Sequence, residues 1–300
     1  MTASVRERFA AAAREERPDL AELCLLIGAE ADPALDGPVA DLAQIELDRL
    51  AGLLPYGSTT PQDWAQALRR VLGAGHGFHG TPADYGLLSS SLLQEVLRRR
   101  RGLPILLSVV WMEVARRAGA PVHGVGLPGH FVVALGELEP HGAEFGAEFG
   151  AEFDNGPAPY VLVDPFDAGR VLSGPDAERL MSGSVGGIRS GTGAGGRAMA
   201  APAPADTLDI VRRVLNNIRA WAAPRPERLP VQLWTLDLTL LLPRHPARLR
   251  YERAQVLVQM GDFLGGAAEM EEYAEVIGSF DPETAATIRT QARAARARLN

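Results

Sequence analysis

Residues 89–135 read SSSLLQEVLRRRRGLPILLSVVWMEVARRAGAPVHGVGLPGHFVVAL, and residues 160–166 return as YVLVDPF. The apolar period changes inside this stretch, and that change decides the fold class. Leu92, Leu93, Val96 and Leu97 recur at helical spacing, and Ser91 with Gln94 has the form of a capping box at the helix start. Gly102 and Pro104 restart the chain. Leu107, Val110, Trp111, Val114, Ala115 and Ala118 then share one helix face, which predicts a core helix ending at Gly119 with Arg116 and Arg117 in its last turn. Beyond it the period drops to two. Val122 to Leu127 reads as a strand, Pro128-Gly129 as a turn, and Phe131 to Leu135 as a second strand opened by His130. Tyr160 to Val163 is the returning strand and stops at Asp164-Pro165. Helices leading into a small antiparallel sheet make this an α+β core.

An antiparallel hairpin sets the start of its first strand beside the end of its second, so His130 and Asp164 are expected neighbours. A carboxylate beside an imidazole orients the ring and favours its charged form. Spacing leaves two readings open, a catalytic pair and a structural bond at a sheet edge. Between the two strands GAEF occurs in tandem from Gly142 to Phe153, a low-complexity insertion with the look of an exposed, lengthened hairpin loop. Arg98 to Arg101 fall at a helix end, where the macrodipole favours cations; an anion or partner site is the sharper alternative. Glu95 lies off the Leu stripe, within reach of Arg98 or Arg99 for a salt bridge.

Working outward, residues 3–54 look helical, with a break at Asp32-Pro33. Leu20, Leu23, Cys24 and Ile27 form one stripe; Val39, Leu42, Ala43, Leu47, Leu50 and Leu53 form another that omits Ile45. Cys24, inside an apolar face, reads as a buried small hydrophobe. A short helix over 63–73 carries Trp64, Leu68 and Val71 on one face. GHGFHG follows; His76 and His79 are too few ligands to specify a metal, and Phe78 is expected to anchor the loop. On the other side, residues 182–206 are rich in Gly, Ser, Ala and Pro and read as a linker or flexible loop. Helices resume at Thr207. The clearest pair runs through Tyr251, Ala254 and Leu257, turns at Gly261-Asp262-Phe263, continues through Ala267, Ala268 and Tyr273, and closes at Asp281-Pro282. Small residues at the crossing and Pro at the close resemble a tetratricopeptide helical hairpin.

Composition bounds the function. A net charge of −7 over 300 residues disfavours non-specific binding to nucleic acid or membrane. One cysteine excludes an intrachain disulfide and a thiolate metal cluster. The charged N-terminus lacks a signal-peptide pattern and no long apolar run suggests a membrane span, so a cytoplasmic protein without cofactor is expected.

GFHG at 77–80, SSLLQEVLRRRRGLPILLSVVWMEVARRAGAPVHGVGLPGHF at 90–131, VDPF at 163–166 and VRRVLNNIRAW at 211–221 resemble the SirB-type bacterial proteins. These join a transglutaminase-like domain to C-terminal tetratricopeptide-like repeats. The resemblance spans nearly the whole chain and implies a papain/transglutaminase-like core over 1–181, a linker over 182–206, and an all-α repeat region over 207–300. It implies Cys-His-Asp logic, with a thiolate at the N-terminus of the core helix, His130 as base and Asp164 as its orienter. The nucleophile would stand near Pro104 to Leu107, where there is no cysteine; Ser108 is the nearest hydroxyl. Ser91, Glu95 and Arg101 match the family pattern and are expected to line a cleft with His130 and Asp164. Ser90 and Gln94 depart from it, since the pattern often has Asn at both. The expectation is a degenerate, non-catalytic core fused to a module that binds a protein or peptide, possessing no metal site. A hydrolase or acyltransferase using a non-cysteine nucleophile or water is the alternative, and an anion-binding regulator is a third.

Overall fold

The computed structural model describes residues 3–138, 159–182 and 203–298; the GAEF repeats and most of the 182–206 stretch lie outside the described residues. The chain forms two compact units, one of Gly37–Ile210 and one of Met1–Asp36 with Val211–Asn300. In chain order the helices are α1 (Val5–Ala12), α2 (Leu20–Ala31), α3 (Pro38–Ala51), α4 (Pro61–Leu68), α5 (Leu93–Arg99) and α6 (Pro104–Arg117). Strands β1 (Val122–Leu127), β2 (His130–Gly136), β3 (Tyr160–Asp164) and β4 (Arg170–Val171) follow, then α7 (Gly174–Ser182). The second unit continues with α8 (Thr207–Ala222), α9 (Leu229–Leu241), α10 (Arg248–Gln259), α11 (Phe263–Ile277) and α12 (Pro282–Ala297).

The core unit is built on α6. Pro104 suits the first turn, where its missing N–H has no helical partner to lose. Every residue from Pro104 to Ala115 is buried. One of them is charged: Glu113 is held by Arg116 and, at 2.5 Å, by Arg117, which also reaches Asp48 and Gln44 of α3 at 2.8 and 2.7 Å. A buried carboxylate persists only when paired in this way. Antiparallel β1-β2-β3-β4 packs on α6, with Val125 opposite Val132, Val133 opposite Val163, and Val163 opposite Val171. The short β4 has no signal in the sequence. Strand alternation sets Val125, Leu127, Val132, Ala134 and Leu162 on one face, where Leu172 and Ala177 complete a cluster. At the outer edge of β1, Ala205 donates to the Gly124 carbonyl at 2.8 Å, so the last residues before α8 pair with the sheet.

Three local expectations change. Ser91 and Gln94 do not form a capping box: the chain enters α5 from a 3-10 turn over Leu88–Ser91, and Leu92 holds the N-cap position without a side-chain bond. Tertiary bonds fix that entry instead, because the Ser90 carbonyl accepts Leu103 N–H at 2.9 Å. In α3 only the Ala43, Leu47 and Leu50 part of the stripe is buried; Val39, Leu42 and Leu53 are exposed, as is Ile45. Beyond Leu68, α4 widens into π-helical turns over Arg69–Gly75. There a Cβ on Gly73 would stand 2.1 Å from the Ala168 carbonyl oxygen, so only glycine permits the approach.

In the second unit α10 and α11 form the expected hairpin. Gly261 turns with φ 92°, Asp262 caps α11 through Gly265 N–H at 2.9 Å, and Tyr251 stacks on Tyr273. Gly266 lies at the crossing, where a Cβ would meet Val258 at 2.5 Å. Asp281 caps α12, which opens with Pro282. The grouping of residues 1–36 differs from the expected 1–181 domain: α1 and α2 pack with α9. The reason is that α2 is apolar on nearly all sides, with Leu20 to Ala29 buried except Glu22, and such a helix needs neighbours around it.

Candidate functional site

Asp164 ends β3 and is held by the residues that follow it. Its Oδ1 accepts Phe166 N–H at 3.0 Å, Pro165 starts a single 3-10 turn over Pro165–Asp167, and Gly169 N–H closes the turn on the Asp164 carbonyl at 2.8 Å. Aspartate followed by proline favours such a turn. The other carboxylate oxygen, Oδ2, lies 3.0 Å from His130 Nε2 at the start of β2. At that separation the carboxylate can orient the ring. The side chains are 11% and 5% exposed, so the pair is largely shielded.

Aromatic rings flank the pair. Phe166 meets His130 edge-on at 6.1 Å and Tyr85 at 6.0 Å. Tyr85 is half exposed, and its hydroxyl is pushed above the usual phenol range by burial and by the Asp164 charge, so it stays a hydrogen-bond donor at neutral pH. Phe166 is seated against the GFHG loop. Gly80 N–H donates to the Phe166 carbonyl at 2.9 Å, and a Cβ on Gly80 would lie 2.0 Å from the Phe166 ring. Phe78 of the same loop is fully buried, edge-on to Trp111 at 5.9 Å.

One residue before Tyr85, Asp84 organises a second cluster. It is 1% exposed. Its Oδ2 accepts Thr81 N–H at 2.8 Å, the Thr81 hydroxyl at 2.9 Å and Arg101 Nη2 at 2.8 Å; Oδ1 accepts the Ser90 hydroxyl at 3.3 Å and faces Arg99 Nη2 at 3.5 Å. Burial disfavours the charged form, but bonds from Arg101 and Thr81 outweigh it and hold the Asp84 carboxyl below the usual range. Arg101 also reaches the Thr81 hydroxyl at 2.6 Å. The 3-10 helix Pro82–Gly86 therefore joins the arginine cluster to the ring that flanks His130 and Asp164.

The arginine run divides among separate partners. Arg98 pairs with Glu95 at 2.6 Å, Arg99 reaches Ser89 at 2.8 Å, and Arg101 goes to Asp84. Arg100, in the left-handed C-cap position of α5 with φ 59°, pairs with Glu46 and lies 4.7 Å over the Phe78 ring. Hydrogen bonds from Arg49 and Arg100 pull the Glu46 carboxyl down to about 2. Against the alternative reading of Arg98 to Arg101 as an anion or partner site, each of the four guanidinium groups has an acceptor within the chain. His76 and His79 also point to local carbonyls, Nδ1 to Val71 at 2.8 Å and Nδ1 to Gly77 at 2.8 Å. Among the described residues no group of three His, Cys, Asp or Glu is placed to hold a metal.

At the nucleophile position, Pro104, Ile105, Leu106 and Leu107 are buried. Ser108 is 0% exposed, and its hydroxyl donates to the Phe131 carbonyl at 3.3 Å, tying α6 to β2. Cys24 is buried in α2, within the other unit. Of the expected cleft residues, Arg101 connects through Asp84 to Tyr85, Glu95 is bound by Arg98, and Ser91 is buried in the 3-10 turn. Tyr85, Phe166 and Asp84 were not singled out by sequence reasoning. The signals for them are Thr81-Pro82 followed by Asp84, a capping pattern, and the aromatic directly after Asp164-Pro165.

Residues 39–216 match the family described as the transglutaminase-like superfamily, and residues 218–300 match a tetratricopeptide repeat. A UPF0162 protein of Xylella fastidiosa is 31% identical over 270 residues, covering 88% of this chain and 86% of the relative. A UPF0162 protein of Pseudomonas aeruginosa is 36% identical over 127 residues, 42% of this chain and 46% of the relative. F-box only protein 21 of Mus musculus is 32% identical over 108 residues, 36% of this chain and 16% of that protein.

Proposed function

This chain belongs to the transglutaminase-like superfamily and carries a C-terminal tetratricopeptide repeat, and we propose that it is a non-catalytic, regulatory cytoplasmic protein that binds another protein or peptide through its repeat helices. The observation that carries the reading is the first turn of α6. Acyl transfer by the Cys-His-Asp route needs an exposed nucleophile there, and Pro104 to Leu107 offer only buried apolar side chains. Ser108 is spent on a buried bond to the Phe131 carbonyl. His130 and Asp164 then serve the scaffold, pinning the start of β2 to the end of β3. Tetratricopeptide repeats generally mediate protein–protein interaction, which supports the binding role. A single cysteine kept as a buried thiol fits a reducing compartment.

A second reading keeps the core as an enzyme acting on amide or peptide bonds, with water activated by His130. The 3.0 Å approach of Asp164 favours it, because an oriented imidazole is what a general base requires. The two readings separate in one experiment on the intact chain. Crosslinking to a peptide library is compared for wild type, His130→Ala, and Arg250→Glu with Glu272→Arg, two residues of α10 and α11 that line one surface pocket with Leu240, Arg253 and Glu269. The binding reading expects capture unchanged in His130→Ala and lost in the charge reversals. Amide hydrolysis or acyl transfer by wild type that disappears in His130→Ala would overturn it in favour of the enzyme.

A further inference from the structure

Five side chains on five helices of the second unit form a continuous charge ladder. Glu30 of α2 accepts Arg6 of α1 through Nε at 2.8 Å and Nη2 at 2.7 Å. Arg6 Nη1 then reaches Asp237 Oδ2 of α9 at 2.8 Å. The other oxygen of Asp237 takes Arg253 Nε of α10 at 2.5 Å, and Arg253 pairs onward with Glu269 of α11. Asp237 is 10% exposed, so its two guanidinium partners replace water instead of competing with it. Asp237 belongs to the matched repeat region, whereas Arg6 and Glu30 lie far upstream of where that match begins.

Packing runs along the same line. α1 packs on α2, both pack on α9, α9 on α10, α10 on α11, and α11 on α12. Phe9, Leu23 and Ile27 of the first pair are fully buried. α2 has nine buried residues in 12, against four in 15 for α11 and four in 16 for α12. A helix so enclosed sits inside a stack, whereas an appendage would keep a polar face.

We infer that α1 and α2 are the first hairpin of the repeat module, so that the surface which binds a partner is assembled from two ends of the chain and is incomplete without residues 1–36. The inference rests on the protein-binding reading for its use, but not for its physical content. In a helical stack each unit is stabilised by its nearest neighbour, so α9 depends on α1 and α2 as α11 depends on α10. A partner-binding fragment that begins at residue 207 lacks the neighbour of its first repeat helix.

Amide hydrogen exchange on the full-length protein tests this. Deleting residues 1–36 is the direct variant, but it can fail by unfolding alone, so Arg6→Ala, Asp237→Ala and the double substitution are measured as well, since they leave the apolar packing intact. Arg6→Ala is expected to speed exchange in α9 and α10 about tenfold, and the double variant to lose less than the sum of the singles. Faster exchange confined to α1 and α2, or strictly additive effects, would overturn the inference. The partner reading fails separately: coupling between α1 and α9 with no peptide captured by the intact chain would remove the binding role and leave the discontinuous module standing.

Discussion

Replacing Asp84 by Asn should unfold the core unit at markedly lower denaturant. Asp84 takes bonds or close contacts from Thr81, Ser90, Arg99 and Arg101 while 1% exposed. Asn keeps one acceptor but loses the charge and turns an NH2 donor toward one of the two guanidinium groups, Arg99 on the Oδ1 side or Arg101 on the Oδ2 side. Removing one partner of a buried ion pair typically costs about 3–5 kcal/mol. Arg99 and Arg101 are 20% and 33% exposed and recover some water, which places the loss near the lower end, about 3 kcal/mol. With a urea slope of about 2 kcal/mol/M, the midpoint falls by about 1.5 M. Trp64 and Trp111, both buried in this unit, report the transition by fluorescence. The pH dependence has a definite sign. The folded carboxyl is held below its unfolded value, so its contribution is full above the ordinary aspartate pKa of about 4 and is lost as pH falls through the folded value. The gap between wild type and Asp84→Asn should therefore be constant from neutral pH down to about 5 and narrow only in acid. A midpoint shift under about 0.5 M, or a gap that narrows between neutral pH and about 5, would refute the assignment of Asp84 as a charged, buried anchor.

Gly80→Ala places a methyl group 2.0 Å from the Phe166 ring and should cost about 1–3 kcal/mol, with a shift of the Phe166 and His130 ring signals in NMR spectra. Ser108→Ala should cost about 1 kcal/mol by thermal unfolding, and Ser108→Cys in a Cys24→Ala background should resist iodoacetamide in the native protein, because the site is 0% exposed. Asp164→Ala removes the acceptor of Phe166 N–H and should speed exchange of that amide about tenfold, as expected for loss of a bond worth about 1.4 kcal/mol. Gly266→Val drives a side chain into Val258 and the Ala254 carbonyl at the α10–α11 crossing, and should lower stability of the repeat unit by about 2 kcal/mol in denaturant titrations.

Much of the fold is written in local pattern. The stripe from Leu107 to Ala118 and the strand over Val122 to Leu127 are visible because apolar period follows backbone geometry, which is a short-range property. The approach of His130 to Asp164 is legible for a related reason: antiparallel pairing and a turn fix which strand ends meet, whatever lies between them. The Gly261-Asp262 turn, with a cap at its second residue, is likewise local chemistry.

What escaped the sequence depends on which neighbour covers each face. Four consecutive arginines look alike in a string, yet Arg98 finds Glu95 three residues back, Arg99 and Arg101 find Asp84, and Arg100 finds Glu46 more than fifty residues away. A guanidinium on a long, flexible stem takes whichever acceptor the folded backbone presents, so its role is settled by distant chain. The capping pattern at Ser91 and Gln94 yielded to the Ser90–Leu103 backbone bond for the same reason. Periodicity marked α2 as apolar, but only the folded chain shows it beside α9, because a hydrophobic face attracts without direction and does not name its partner. Ser108 illustrates both levels. Its residue type and position follow from the string, while its burial under β2 follows from the packing of α6 against the sheet.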